Sequence, residues 1–186
     1  MTPDSETAWA ELEARALRLL EHAKEVEPRA PVRRYGSVLR LWHYPAHGSQ
    51  TAWTILRPGR KAPAGGGPRV REVIWDRTPD QQRLFGPDVL RSRGLESTPT
   101  LRLREADVPE AELQALLATG ADIAVPLVLF SHKVGLDGEY FGLETYEGSP
   151  SVRVQWWGAG PIEWRHFTNW CGQVRCFLTE QLDKAG

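Results

Sequence analysis

Cysteine, methionine and long apolar runs are scarce in this chain of 186 residues. Its two cysteines are Cys171 and Cys176, and no Cys-x-x-Cys pair occurs, so the usual ligand spacing of a structural zinc site is missing. No apolar run approaches the roughly 20 residues that span a bilayer. The N-terminus is acidic, unlike the basic start and apolar core of a signal peptide. These features predict a cytoplasmic protein with reduced thiols, no cofactor and no membrane association.

The chain also lacks the common signatures of catalysis and phosphate binding. Neither Gly-x-Ser-x-Gly nor His-Glu-x-x-His occurs. The glycine-rich stretch 58–68 leads into a strand, whereas a P-loop opens a helix with Gly-Lys-Ser/Thr, so we interpret 58–68 as a surface loop. A nucleophile pairing Cys171 or Cys176 with His166 is conceivable. Free cysteines on an apolar helix face usually serve as small hydrophobes, however, and we assign no catalytic residue.

The histidines do not form a recognisable metal motif. His43 and His47 are four residues apart, but Pro45 lies between them and argues against a helix that would align the two rings. The remaining histidines and the two cysteines are scattered along the chain. We therefore predict no metal site.

Charge is unevenly distributed, although the net charge is only −1. Residues 32–104 carry 14 basic and 5 acidic side chains, and residues 105–186 carry 5 basic and 12 acidic ones. This division is compatible with a basic and an acidic binding face. Because neither segment contains a dense run of like charges, we favour a fold that interleaves the two segments.

Hydrophobic periodicity predicts four helices and seven strands. The predicted helices cover 6–27, 78–86, the stretch from the capping box at 107–110 to Gly120, and 168–182. The predicted strands cover 34–44, 51–57, 70–75, 98–104, 123–130, 139–144 and 151–157. On the helices, the apolar stripes predict a shared set of buried residues: Trp9, Leu12, Leu19, Leu113, Leu117, Val174, Phe177 and Leu178.

Two helix starts carry capping signals. Thr78 is expected to cap the second helix, with Pro79 at the first helical position and Gln81 reaching back to the cap. Asp107 and Glu110 form a second candidate capping box before the third helix.

Short links between consecutive strands favour an α+β fold. They predict a mainly antiparallel sheet with the helices packed on one face. A length of 186 residues suits one domain with a full core, so residues 1–186 are predicted to form a single domain.

Aromatic residues concentrate in the last third of the chain. Four of the eight tryptophans lie between Trp156 and Trp170. Trp156 and Trp157 are adjacent on a predicted strand, where side chains alternate between faces, so one of them points away from the main core unless both faces are covered. Aromatic residues at such positions are typical of protein contact sites. The candidate partner-binding residues are Trp156, Trp157, Trp164, Glu139, Glu144, Glu147 and Glu163.

Arginines in the middle of the chain support an alternative. Between residues 57 and 104 there are ten arginines and one lysine, with Trp42, Trp53 and Trp75 nearby in sequence. Arginine binds phosphates through its planar fork, and aromatic rings stack on bases, so a nucleic acid or a phosphorylated ligand is a second candidate partner. The residues of this alternative are Arg57, Arg60, Lys61, Arg69 and Arg71.

The C-terminal pattern resembles the SUKH superfamily over about residues 123–182. The resemblance is carried by Asp137-Gly138-x-Tyr140-x-Gly142-Leu143, a Val-x-Trp-Trp strand, Gly160-Pro161-x-x-Trp164 and a helix containing Phe177-Leu178. It implies a small bacterial intracellular protein, related to fungal cell-wall regulators. Many members are immunity proteins that neutralise polymorphic toxins, and the family has no catalytic residues to transfer.

These observations rank three functions. The first is a non-catalytic binding protein with a protein partner, in its most specific form an immunity protein. The second is binding of nucleic acid or a phosphorylated ligand through the central arginines, and the third is an uncharacterised enzymatic activity. A toxin-like reading frame beside the gene would favour the first.

Overall fold

A computed structural model describes residues 3–26, 35–59, 66–86, 98–126, 138–146 and 151–186. Its helices are α1 (Pro3–Glu21), α2 (Arg77–Phe85), α3 (Glu110–Ala121) and α4 (Arg165–Ala185). Its strands are β1 (Tyr35–Pro45), β2 (Gln50–Pro58), β3 (Arg69–Trp75), β4 (Leu101–Asp107), β5 (Glu139–Thr145) and β6 (Val152–Trp157). Short 3-10 helices follow α1 at Ala23–Glu25 and precede α4 at Ile162–Trp164.

The six strands form one sheet in the order β4-β3-β2-β1-β5-β6, and every neighbouring pair is antiparallel. The first four strands lie side by side in chain order, and the link from β3 to β4 contains α2. β5 then pairs with the free edge of β1, which brings the C-terminal hairpin beside the N-terminal one. The predicted α+β fold with an antiparallel sheet is confirmed.

Helices cover both faces of the sheet, so the predicted arrangement on one face was wrong. Ala16 and Leu20 of α1 pack with Trp42, Val73 and Trp75 on one face. Residues of α3 and α4 pack on the opposite face with the alternate strand positions: Leu39, Leu41, Ile55, Val70, Leu113, Val174 and Leu178. The error arose because successive strand residues point to opposite faces and both sets include large apolar side chains. Each face of the sheet must therefore be buried by a helix.

The buried faces of the helices agree with the predicted apolar stripes. Leu12, Leu113, Val174 and Leu178 are buried. The other four predicted residues are half-buried: Trp9, Leu19, Leu117 and Phe177.

Both predicted helix caps differ from the structure. Helix α2 begins at Arg77, two residues before the expected first helical position Pro79, and Asp76 is its N-cap, accepting a hydrogen bond from Thr78 N at 3.3 Å. Helix α3 has Pro109 at its N-cap without a side-chain hydrogen bond, because Asp107 belongs to β4 and pairs with Arg69.

The apolar stretch 123–130 was predicted as a strand. Its described part, residues 123–126, is not a strand, and residues 127–130 lie outside the described residues.

A buried aspartate ties α2 to β3 and β4. Asp80 is 0% exposed and accepts four hydrogen bonds at 2.6–2.9 Å, from Trp75 Nε1, Arg83 Nη2, and the backbone N and Oγ1 of Thr100. A buried carboxylate is stable only when its lone pairs are occupied in this way.

Removing that carboxylate should destabilise the whole fold. We expect Asp80→Ala to lower the free energy of unfolding by about 3–5 kcal/mol, because buried donors on Trp75 and Thr100 would lose their acceptor. Urea denaturation followed by tryptophan fluorescence measures this change. Asp107→Ala is the control: its side chain is 77% exposed and pairs with Arg69, so its cost should stay under about 1 kcal/mol. Equal effects of the two variants would contradict the role given to Asp80.

Tryptophan rings lie against glycines in the fold. Trp42 and Gly142 are direct partners across β1 and β5, and a Cβ on Gly142 would overlap the Trp42 ring. The same overlap would occur for two other pairs, Gly120 with Trp170 and Gly138 with Trp157. The absent side chains therefore provide the space that these rings fill.

Filling that space should be unfavourable. We expect Gly142→Ala to cost about 1–3 kcal/mol of unfolding free energy, since the buried Trp42 ring would have to shift. The matched control is Gly36→Ala in β1, where a Cβ meets nothing within 4 Å; it should be neutral or slightly stabilising. Thermal denaturation of both variants tests the difference, and an unchanged melting temperature for Gly142→Ala would refute the packing argument.

Candidate functional site

The structure separates the two adjacent tryptophans of β6. Trp156 is 7% exposed and packs edge-to-face on Phe167 in the core shared with α4. Trp157 points to the opposite face, is half-buried, and makes an edge-to-face contact with Tyr140 at 4.3 Å between ring centroids. Tyr140 itself is 46% exposed. Of the two candidates, Trp157 is therefore the one beside an exposed aromatic surface.

An aromatic corner forms where β5 begins and β6 ends. We define it as Tyr140 and Trp157, which are direct partners across β5 and β6 and lie on the same face of the sheet. Gly158 N donates to Glu139 O at 2.8 Å and Gly160 N to Trp157 O at 3.0 Å, so the turn after β6 holds the two halves together. Glu139, Tyr140, Ile162 and Glu163 are all exposed, Ile162 at 61%. The corner itself is the aromatic pair, whereas the Glu139 carboxylate lies on the opposite face of the sheet beside His43 and Phe141.

His43 and Glu139 form a pair on the α4 face of the sheet, beside Phe141. His43 Nε2 lies 3.2 Å from Glu139 Oε2. Burial lowers the pKa of His43 below its ordinary value, the nearby Arg175 lowers it further, and Glu139 opposes the shift. At neutral pH, His43 is therefore a neutral neighbour that leaves the Glu139 charge uncompensated.

The remaining predicted contact residues lie elsewhere. Glu144 is directed into the sheet face, where it pairs with the buried Arg40 at 3.0 Å and accepts a hydrogen bond from Tyr146 at 2.8 Å. Trp164 is half-buried and donates from Nε1 to Pro126 O at 3.0 Å. Glu147 lies outside the described residues.

Most central arginines in the described part of the chain are held in ion pairs within the molecule. Arg71 is 0% exposed, pairs with Glu105, and donates from Nη1 to the carbonyls of Ala23 and Val26 at 2.7 and 3.2 Å. Its role is to attach the end of α1 to the sheet. Arg60 and Lys61 lie outside the described residues.

Ion pairs join the basic segment 32–104 to the acidic segment 105–186. This agrees with the expectation that the fold interleaves the two segments. They connect Arg40 with Glu144, Arg57 with Glu110, Arg69 with Asp107, Arg71 with Glu105, and Arg104 with Asp183. For residues 32–104, the positive charge of these described arginines is thus compensated by carboxylates of the C-terminal segment.

A cavity of about 220 Å³ lies between the sheet and α4, and we call it the α4 cavity. Its aromatic walls include Trp53, Phe141 and Trp156, and α4 contributes Thr168, Asn169, Cys171, Gly172 and Arg175. No residue of the aromatic corner lines it. Sequence reasoning missed this site because Arg175 looks like any polar residue of an amphipathic helix, and only the packing places it beside Phe141.

Chemistry based on metal or thiol groups gains no support from the described part of the chain. It contains no group of three or more His, Cys, Asp or Glu side chains placed to hold a metal ion. Within it neither cysteine hydrogen-bonds a histidine, and both are free thiols, as predicted. Among the described helices none is long and apolar enough to cross a membrane.

No family model, curated protein or solved structure gives a significant match to this chain. The interpretation of both sites therefore depends on their own geometry.

The two thiols should differ sharply in reactivity. Burial raises the pKa of Cys171 to about 12, whereas Cys176 is exposed on α4. Because the thiolate is the reactive form, we expect Ellman's reagent to modify Cys176 at least roughly 100-fold faster than Cys171 in the folded protein. Cys176→Ser should abolish the fast phase and Cys171→Ser should retain it. Rapid modification of both thiols in the native state would contradict the burial of Cys171.

Proposed function

We propose that this protein acts by binding a partner protein through the aromatic corner. The observation that carries the proposal is the exposed edge-to-face pair of Tyr140 and Trp157. The pair lies on the β5–β6 side of the sheet, away from β2 and β3, on which α1 packs. Tyrosine and tryptophan dominate binding hot spots because they bury a large area and lose little side-chain entropy.

The pair is pre-organised for binding. Trp157 lies against Gly138, where a side chain would overlap its ring, and Gly138 O accepts a hydrogen bond from Ala46 N at 2.8 Å. A ring that is already held in position loses less conformational freedom when a partner covers it. This supports a binding role for Trp157 in addition to its packing role.

Charge indicates the kind of partner. Glu139 and Glu163 are exposed in the segments that precede and follow the two rings in the chain, and neutral His43 does not compensate Glu139. A partner with a basic rim around an apolar pocket would complement this surface, and the charges would mainly increase the association rate. The SUKH resemblance suggests a specific version of the proposal, in which the partner is a polymorphic toxin and the complex forms in a bacterial cytoplasm.

The test uses the product of a toxin-like reading frame adjacent to the gene. We expect co-expression of this protein to restore growth to cells that express that product, and the purified pair to bind in calorimetry. Trp157→Ala should weaken binding about 30-fold, equivalent to about 2 kcal/mol, and Tyr140→Ala should weaken it by at least 5-fold.

The matched control is Val152→Ala, at the other end of β6. Val152 is 54% exposed and lies outside the aromatic corner, so this variant should bind like the wild-type protein. Equal loss for Val152→Ala and Trp157→Ala would place the interface elsewhere. Tight binding of a single-stranded oligonucleotide that weakens steeply with salt and survives Trp157→Ala would instead support the nucleic-acid alternative.

A further inference from the structure

We propose that the α4 cavity is a binding site for a small planar aromatic carboxylate. This site is separate from the aromatic corner, and its existence does not depend on the partner-binding role. Three features of the described residues carry the proposal: an unpaired arginine, aromatic walls and a glycine that lines the cavity.

Arg175 supplies the positive charge. Seven described arginines are buried or half-buried, and six of them pair with a carboxylate: Arg40, Arg57, Arg69, Arg71, Arg77 and Arg83. Within the described residues Arg175 has no such partner, and its guanidinium carbon lies 5.7 Å from the centre of the Phe141 ring. No acidic side chain lines the cavity. A half-buried guanidinium without a counter-ion favours an anionic ligand, and its planar fork matches a carboxylate.

The walls and the volume indicate an aromatic body. Trp53, Phe141 and Trp156 provide flat apolar surfaces beside Arg175. The volume of about 220 Å³ exceeds that of a cavity of about 150 Å³, which already accommodates benzene. One aromatic ring with a carboxylate therefore fits, while Thr168 and Asn169 offer polar contacts at the rim.

Gly172 leaves the required space. It lies within α4, where glycine costs up to about 1 kcal/mol relative to alanine. A Cβ at Gly172 would meet nothing within 4 Å, and the residue lines the cavity. The absence of a side chain at Gly172 thus adds to the open volume of the cavity.

Benzoate is the probe for the proposed site, and benzamide is its uncharged analogue. Isothermal titration calorimetry should show saturable benzoate binding in the micromolar to millimolar range, at least 10-fold tighter than benzamide. In 1H–15N spectra, the indole resonance of Trp53, assigned by its loss in Trp53→Phe, should shift on benzoate addition. The absence of saturation in the millimolar range, or equal affinity for benzoate and benzamide, overturns the proposal.

Variants separate recognition by Arg175 from general effects. Arg175→Gln should weaken benzoate binding at least 10-fold and leave benzamide binding unchanged, while Arg165→Gln, exposed on the same helix and outside the cavity, should behave like wild type. Gly172→Leu should fill the cavity and abolish binding while the circular dichroism spectrum is retained. If Arg175→Gln binds benzoate like wild type, or if Gly172→Leu folds and still binds it, the ligand occupies another site and the proposal fails.

Discussion

Trp42 and Gly142 face each other across the ladder that joins the two hairpins of the chain. The ring occupies the space that a side chain on Gly142 would need, and the guanidinium groups of Arg40 and Arg153 lie 4.6 and 5.0 Å from its centre. Such cation–π contacts are worth most when water is excluded. Close approach of β1 and β5 at this point joins the C-terminal hairpin to the sheet, and both candidate sites depend on that junction.

Charge placement follows from covering both faces of the sheet. Once α1 closes one face, Arg40 and Arg71 are inside the molecule and need partners, which the acidic C-terminal half supplies through Glu144 and Glu105. A buried charge is tolerated only with such compensation. Arg175 is half-buried and has no carboxylate partner among the described residues, so an external anion would provide the missing negative charge.

The elements could be predicted from the sequence to a large extent. Alternation in β1, β2 and β3 and the apolar stripes of α1 and α4 were sufficient because each depends on local periodicity. The predicted helix caps were wrong for two local reasons. Asp107 belongs to β4 instead of capping α3, and Asp76, which precedes Thr78, caps α2. Of the candidate site, the sequence indicated Trp157. It gave equal weight to Trp156, which packs against α4, and to Glu144, which pairs with the buried Arg40.

The sequence by itself determined the antiparallel α+β class, the free thiols and the aromatic C-terminal region, because these follow from composition, spacing and helical geometry. Tertiary structure alone decided which arginines are paired with a carboxylate. Arg69 meets Asp107 because β3 and β4 are neighbours in the sheet, and Arg104 meets Asp183 because α4 packs beside β4. It also decided why the glycines of the C-terminal pattern are needed. Gly138 and Gly142 lie against Trp157 and Trp42, whose rings come from other strands, so long-range packing supplies the physical reason.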